Sequence, residues 1–105
     1  MSEKLNYYQL GNGPNDILLI HGLAADSGFW LPLVNYIDKT KYTVNLIDLK
    51  GHGKSSFNDV AFLPSVLSLE VVELIETREY SNLILVGHSF GGRVVLNMLP
   101  NMAKH

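Results

Sequence analysis

Leu83-Ile84-Leu85-Val86-Gly87-His88-Ser89-Phe90-Gly91-Gly92 joins an apolar run to a serine bracketed by glycines, and a helical pattern starts directly after it. The stretch reads as a strand, a tight turn and a helix. Such a turn lifts the serine side chain clear of the sheet and holds its backbone in a strained conformation, and it leaves room for the helix only where the flanking residues lack side chains. Gly87 and Gly91 supply that room. Val94, Val95 and Met98 then recur at helical spacing, and Pro100 is expected to end or bend the helix.

Upstream, Ile17-Leu18-Leu19-Ile20 is a second unbroken apolar run, the mark of a strand covered on both faces, and it stops at His21-Gly22. Residues 42–47 read as another strand, closed by Asp48-Leu49-Lys50-Gly51-His52-Gly53-Lys54-Ser55, whose glycines and polar residues cannot extend it. Residues 5–10 form a short strand that ends in the turn formers of residues 11–16. Asp26 or Ser27 caps a helix expected to reach about Asp38, with Phe29, Trp30, Leu33, Val34 and Ile37 on one face and Pro32 in its first turn. Phe29 and Trp30 are accordingly assigned to the core rather than to a substrate platform. Pro64 opens a further helix through Leu67, Val71, Leu74 and Ile75, ending near Tyr80, while residues 58–63 are ambiguous.

Strands alternating with helices imply a mostly parallel sheet with helices on both faces. The class is α/β, in a single domain covering residues 1–105. The most apolar strand, residues 17–20, belongs between the strands at 42–47 and 83–87, with residues 5–10 beyond the 42–47 strand. His21-Gly22-Leu23, residues 48–55 and Ser89 all fall at carboxyl ends of strands, where open α/β sheets place their chemistry.

Hydrophobic residues make up 47% of the 105, charged residues 17%, and the net charge is -2, which gives no basis for a nucleic-acid surface. No cysteine is present, so disulfides, a thiolate nucleophile and a cysteine zinc site are excluded. The N-terminus lacks an apolar signal core and no run approaches the length of a membrane span, so a cytoplasmic location is expected. Glu70, Glu73, Glu76 and Glu79 recur every third residue beside Arg78; with no histidine partner they read as a solvated helix face rather than a metal site. No cofactor is expected.

Gly87-His88-Ser89-Phe90-Gly91, set between a strand and a helix, resembles the nucleophile elbow of the α/β-hydrolases, and the likeness runs from about Tyr7 to the last residue. It implies the N-terminal half of that fold, with residues 5–10 pairing antiparallel at the edge. It also implies hydrolysis of a small-molecule ester, thioester or related acyl substrate, with haloperoxidase or C–C hydrolase chemistry still open. Ser89 would be the nucleophile, and the backbone N–H of Phe90 and, by the resemblance, of Leu23 would form the oxyanion hole. His21 and Gly22 would shape the oxyanion loop, with Gly87, His88 and Gly91 shaping the elbow. His88 is expected to pack away from Ser89. The Asp48 loop is architectural in the family, and His52 reads as an exposed turn histidine.

In that family the acid and then the histidine of the triad follow the serine. After Ser89 this sequence has no Asp or Glu, and its one later histidine is His105. A helix running away from the elbow would put His105 on the order of 20 Å from Ser89. The expectation is therefore a truncated hydrolase, inactive alone, whose uncovered strand edge at residues 83–87 promotes self-association. The alternative is a non-catalytic remnant or interaction module that keeps the first half of the fold. An open reading frame continuing into an Asp and a His would favour the enzyme.

Overall fold

The computed structural model describes residues 5–22, 25–49 and 64–102. Four strands, β1 (Asn6–Leu10), β2 (Asn15–Ile20), β3 (Tyr42–Asp48) and β4 (Ile84–Gly87), form one sheet in the order β1-β3-β2-β4. β2 pairs parallel with β3 on one side and with β4 on the other, while β1 pairs antiparallel with β3. This is the expected order. The apolar run of β2 takes the inner position because side chains on both of its faces need cover.

Alternation along the strands sends side chains to two separate cores. Leu18 and Ile20 of β2 and Ile47 of β3, with Leu49 just beyond it, pack against α2 (Pro64–Arg78) and α3 (Phe90–Met102) through Leu67, Val71, Val94 and Met98. Leu19, Val44 and Leu46 face the other way and meet Trp30 and Val34. Helices therefore cover both faces, unequally.

The inequality comes from the segment after Asp26. In place of the helix expected to reach about Asp38 there is a 3-10 turn, Ser27–Trp30, and a single α turn, α1 (Leu31–Val34). Beyond Val34 the backbone bonds tighten to Tyr36 N–H→Leu33 O and Ile37 N–H→Val34 O, and the Lys39 ammonium donates to the carbonyls of Val34 and Ile37. Those carbonyls have partners without a longer helix. The Asp38 carboxylate then accepts from the N–H and hydroxyl of Thr40, which hold its pKa below the ordinary value and fix a turn instead. Trp30 and Val34 are buried, whereas Phe29 and Leu33 are 46% and 45% exposed. Phe29 is thus not a core residue, contrary to expectation.

Pro100 does not end α3, which continues through it to Met102. Proline has no N–H to offer the Leu96 carbonyl, but that residue is 65% exposed, where water can take the place of the lost donor.

One buried polar side chain ties the α2 face of the sheet together. Asn45 is fully buried; its amide NH₂ donates to the Ile17 and Thr43 carbonyls and to the Asp16 carboxylate. Its oxygen accepts from the Tyr7 hydroxyl and the Gln9 amide, and Tyr80 donates to Tyr7 in turn. Burial, reinforced by that bond, pushes the Tyr80 phenol well above its ordinary pKa, so it stays a donor. Asn45→Ala strands several of these groups and should cost about 1–3 kcal/mol, read as a lower urea midpoint. Asn97→Ala, at an exposed position on α3, should stay within about 0.5 kcal/mol.

Candidate active site

The site grows out of the ends of β2 and β4. Gly87 pairs with Ile20, and the next N–H, that of His88, still donates to the Ile20 carbonyl at 3.0 Å. The chain then reverses at Ser89, whose φ is +55°. A residue with a Cβ adopts this conformation at a cost of about 1–3 kcal/mol, and only where its surroundings force it. Here the His88 carbonyl accepts from Gly91 N–H at 2.9 Å, and the Ser89 carbonyl accepts from Gly92 at 2.9 Å and Arg93 at 3.3 Å. Ser89 itself is exposed.

The turn closes only because two side chains are missing. A Cβ on Gly91 would lie 2.2 Å from the Ile20 carbonyl oxygen and 2.5 Å from that of His21. One on Gly87 would lie 2.5 Å from the Gly91 oxygen. Gly92, by contrast, has room for a methyl group, its nearest neighbour being at 3.5 Å. The two glycines expected to shape the elbow are the two that the backbone contacts require.

Phe90 is the first residue of α3 and packs its half-buried ring against the α2/α3 core. Its N–H lies at the helix N-terminus, where no preceding helical turn offers an acceptor and the helix dipole is positive. Leu23, the expected second donor, lies outside the described residues, as do His52, Lys54, Ser55 and His105.

His21 and Asp48 brace the floor of the site. His21 is fully buried; its Nε2 accepts the Leu49 N–H at 2.9 Å, so the ring proton sits on Nδ1, 2.6 Å from the Gly22 carbonyl. The ring thereby links the exits of β2 and β3. Asp48 is 2% exposed and accepts from the Ser27 N–H and the Asn6 amide, each at 2.6 Å, which holds the 3-10 turn against the end of β3. Gly22 passes beside the elbow, the position of its missing Cβ lying 3.6 Å from both His88 Nδ1 and Ser89 Cβ.

An aromatic group stands at the rim, where Phe29 had been assigned to the core. The exposed His88 ring lies 4.6 Å from that of Phe29 at a 30° tilt, and both rings meet Trp30 edge-on. Phe29 and Trp30 are neighbours on a tight turn, so they point in different directions and only one can enter the core. The Trp30 indole N–H is buried with no acceptor among the described residues. Glu73 and Glu76 on α2 and Glu79 just past its end are exposed, and among the described residues no three potential metal ligands gather.

A strand, a left-handed serine and a helix, set beside the histidine-bearing exit of the neighbouring strand, define a class of fold that comparison then identifies. Residues 16–102 match the family model of the alpha/beta hydrolase fold, and the chain belongs to that family. It is 32% identical over 101 residues to the 2-(acetamidomethylene)succinate hydrolase of Mesorhizobium japonicum, covering 96% of this chain and 34% of that protein. Identity is 37% over 89 residues with the 2-succinyl-6-hydroxy-2,4-cyclohexadiene-1-carboxylate synthase of Photorhabdus laumondii, covering 82% and 31%. Among solved structures, the bromoperoxidase of Bacillus anthracis superposes with a TM-score of 0.84 at 29% identity, covering 90% of this chain and 34% of that one. A marine microorganism esterase reaches 0.87 at 24% identity, covering 97% and 38%. The chain thus spans about a third of the length of these relatives and corresponds to the N-terminal portion of the fold.

Two substitutions test the elbow's geometry. Ser89→Gly relieves the left-handed strain and should raise stability by about 1 kcal/mol. Gly91→Ala forces α3 off the end of β2 and should cost about 1–3 kcal/mol or more. Urea unfolding of the two variants beside the parent checks both signs.

Proposed function

We propose that this chain carries the nucleophile of a serine hydrolase acting on a carboxylic ester, thioester or related acyl group. The observation that carries the reading is the exposed Ser89 at φ +55°, set at the N-terminus of α3 between two glycines that backbone contacts require. A strained, solvent-facing serine at a helix N-terminus stores its cost in the place where nucleophilic catalysis needs a side chain presented. In the proposed reaction a histidine takes the Ser89 hydroxyl proton as Oγ attacks the acyl carbon. The N–H groups of Phe90 and Leu23 receive the developing oxyanion, and the leaving group departs with the proton. Water then releases the acid from the acyl-enzyme. His21 is not the base in this scheme, because its Nε2 is occupied by the Leu49 N–H and its Nδ1 proton faces the Gly22 carbonyl.

The triad acid and histidine are proposed to come from sequence beyond these 105 residues, since no Asp or Glu follows Ser89 here. Without them the oxyanion donors and binding still give a residual acceleration of about 10³–10⁴ over water at most. A shift of about 1 Å in those donors removes on the order of another 100-fold. A fluorophosphonate probe and a p-nitrophenyl ester assay, applied to this chain, to Ser89→Ala and to any longer open frame, test the reading. Labelling and turnover should be confined to the longer form and vanish with Ser89→Ala; a longer form that is never labelled at Ser89 would favour a non-catalytic module. The outer edge of β4, unpaired among the described residues and carrying the 45%-exposed Ile84, supports self-association of the 105-residue chain. Sedimentation velocity should show oligomers that grow with concentration, and a monomer throughout would contradict this.

A further inference from the structure

We propose that Phe29 and His88 together form an aromatic wall of the substrate site, taking an aromatic group carried on the acyl or leaving side of the substrate. The proposal rests on Ser89 being the reacting residue and names the substrate class for it.

Three observations converge. First, Phe29 is 46% exposed, yet it is not a loose surface residue. It sits in a 3-10 turn whose first two residues are tied down, Gly28 N–H by the Asp26 carboxylate at 2.8 Å and Ser27 N–H by the Asp48 carboxylate at 2.6 Å. The ring is set edge-on to buried Trp30 at 5.2 Å and lies 4.6 Å from His88. An aromatic face held this firmly in solvent pays little rotamer entropy when a ligand covers it.

Second, the wall adjoins the serine. His88 directly precedes Ser89, and the His88 Nδ1 and Ser89 Cβ converge on one point above Gly22, each 3.6 Å from it. The imidazole is thus on the Gly22 side of the elbow, and its stack on Phe29 carries the aromatic surface outward from the reacting residue. Third, both residues are exposed and their rings stack on each other at a 30° tilt, so each has one π-face turned away from its partner. Aromatic rings recognise another ring by offset stacking and edge-to-face contact, an attraction that a saturated ring of similar size lacks. Exposed Leu31 and Leu33, one turn on, supply apolar surface without that discrimination.

Binding, not turnover, reads this out in the chain as it stands. Trp30 is the one tryptophan and touches both rings of the wall, so its emission reports occupancy. Phenylacetamide and cyclohexylacetamide are titrated while Trp30 emission and the amide NMR shifts of His88 and Ser89 are followed. The expected result is saturable binding of phenylacetamide about tenfold tighter than of the saturated analogue, with the preference lost in Phe29→Leu and in Phe29→Ala. Phe29→Leu keeps an apolar side chain at a half-exposed position, and its urea midpoint verifies that it folds. Equal affinity for the two amides, absence of saturable shifts, or a preference that survives Phe29→Leu overturns the proposal. Fluorophosphonate labelling of a longer form separates the two readings: aromatic preference without labelling at Ser89 defeats the nucleophile and keeps the wall, whereas labelling without aromatic preference does the reverse.

Discussion

The end of β2 and the first turn of α3 approach until only a hydrogen atom fits between them. The missing Cβ of Gly91 would lie 2.2 Å from the Ile20 carbonyl, a distance that no adjustment of a side chain relieves because both partners are backbone. That contact fixes where α3 starts and how it crosses the sheet. It places Val94 and Met98 over Leu18 and Ile20, and it leaves the chain no way to leave β4 except through a left-handed residue. Ser89 occupies that position with a Cβ, although glycine would accept it more readily. The strain and the exposure of the serine are therefore two consequences of one packing constraint.

A second set of constraints holds the neighbouring strand exits in register with the elbow. His21 spans from β2 to Leu49, and Asp48 spans from β3 to the 3-10 turn. Both are buried polar groups that each accept a backbone N–H, of Leu49 and of Ser27, while His21 also donates to the Gly22 carbonyl and Asp48 also accepts from the Asn6 side chain; moving either loop would leave a buried donor or acceptor unsatisfied. The rim of the sheet is rigid where its chemistry is proposed. Most of the partners are backbone groups, and the Asn6 amide is the one side chain among those named that takes part.

The inner position of residues 17–20 and the glycine pattern around Ser89 were legible in the sequence, because they follow from burial on two faces and from the absence of a Cβ, whereas the antiparallel edge strand came from the resemblance to the family. Other features depend on contacts between distant residues. Asn45 reads as an interruption in a strand pattern, and nothing local announces that Tyr7, Gln9 and Asp16 converge on it. The helix expected to reach about Asp38 failed for a related reason: apolar spacing at Phe29, Leu33 and Ile37 is compatible with a helix, but Lys39 and Thr40 provide competing partners that stop it. Phe29 went astray with it. Apolar periodicity cannot distinguish a ring turned to the core from one turned to the rim.

The central place of β2 also has a consequence for synthesis. Its residues leave the ribosome early and find β3 soon afterward, but Ile17 must wait for Ile84 before its other edge is paired. At roughly 5–20 residues per second, that interval is on the order of 3–13 s. Throughout it the most apolar of the described strands has one ladder of backbone groups open and lacks α3, which follows β4 and covers one of its faces. The nascent β2 is thus most exposed to wrong partners just before the serine turn emerges, and the segment that pairs its open edge is the one that presents Ser89.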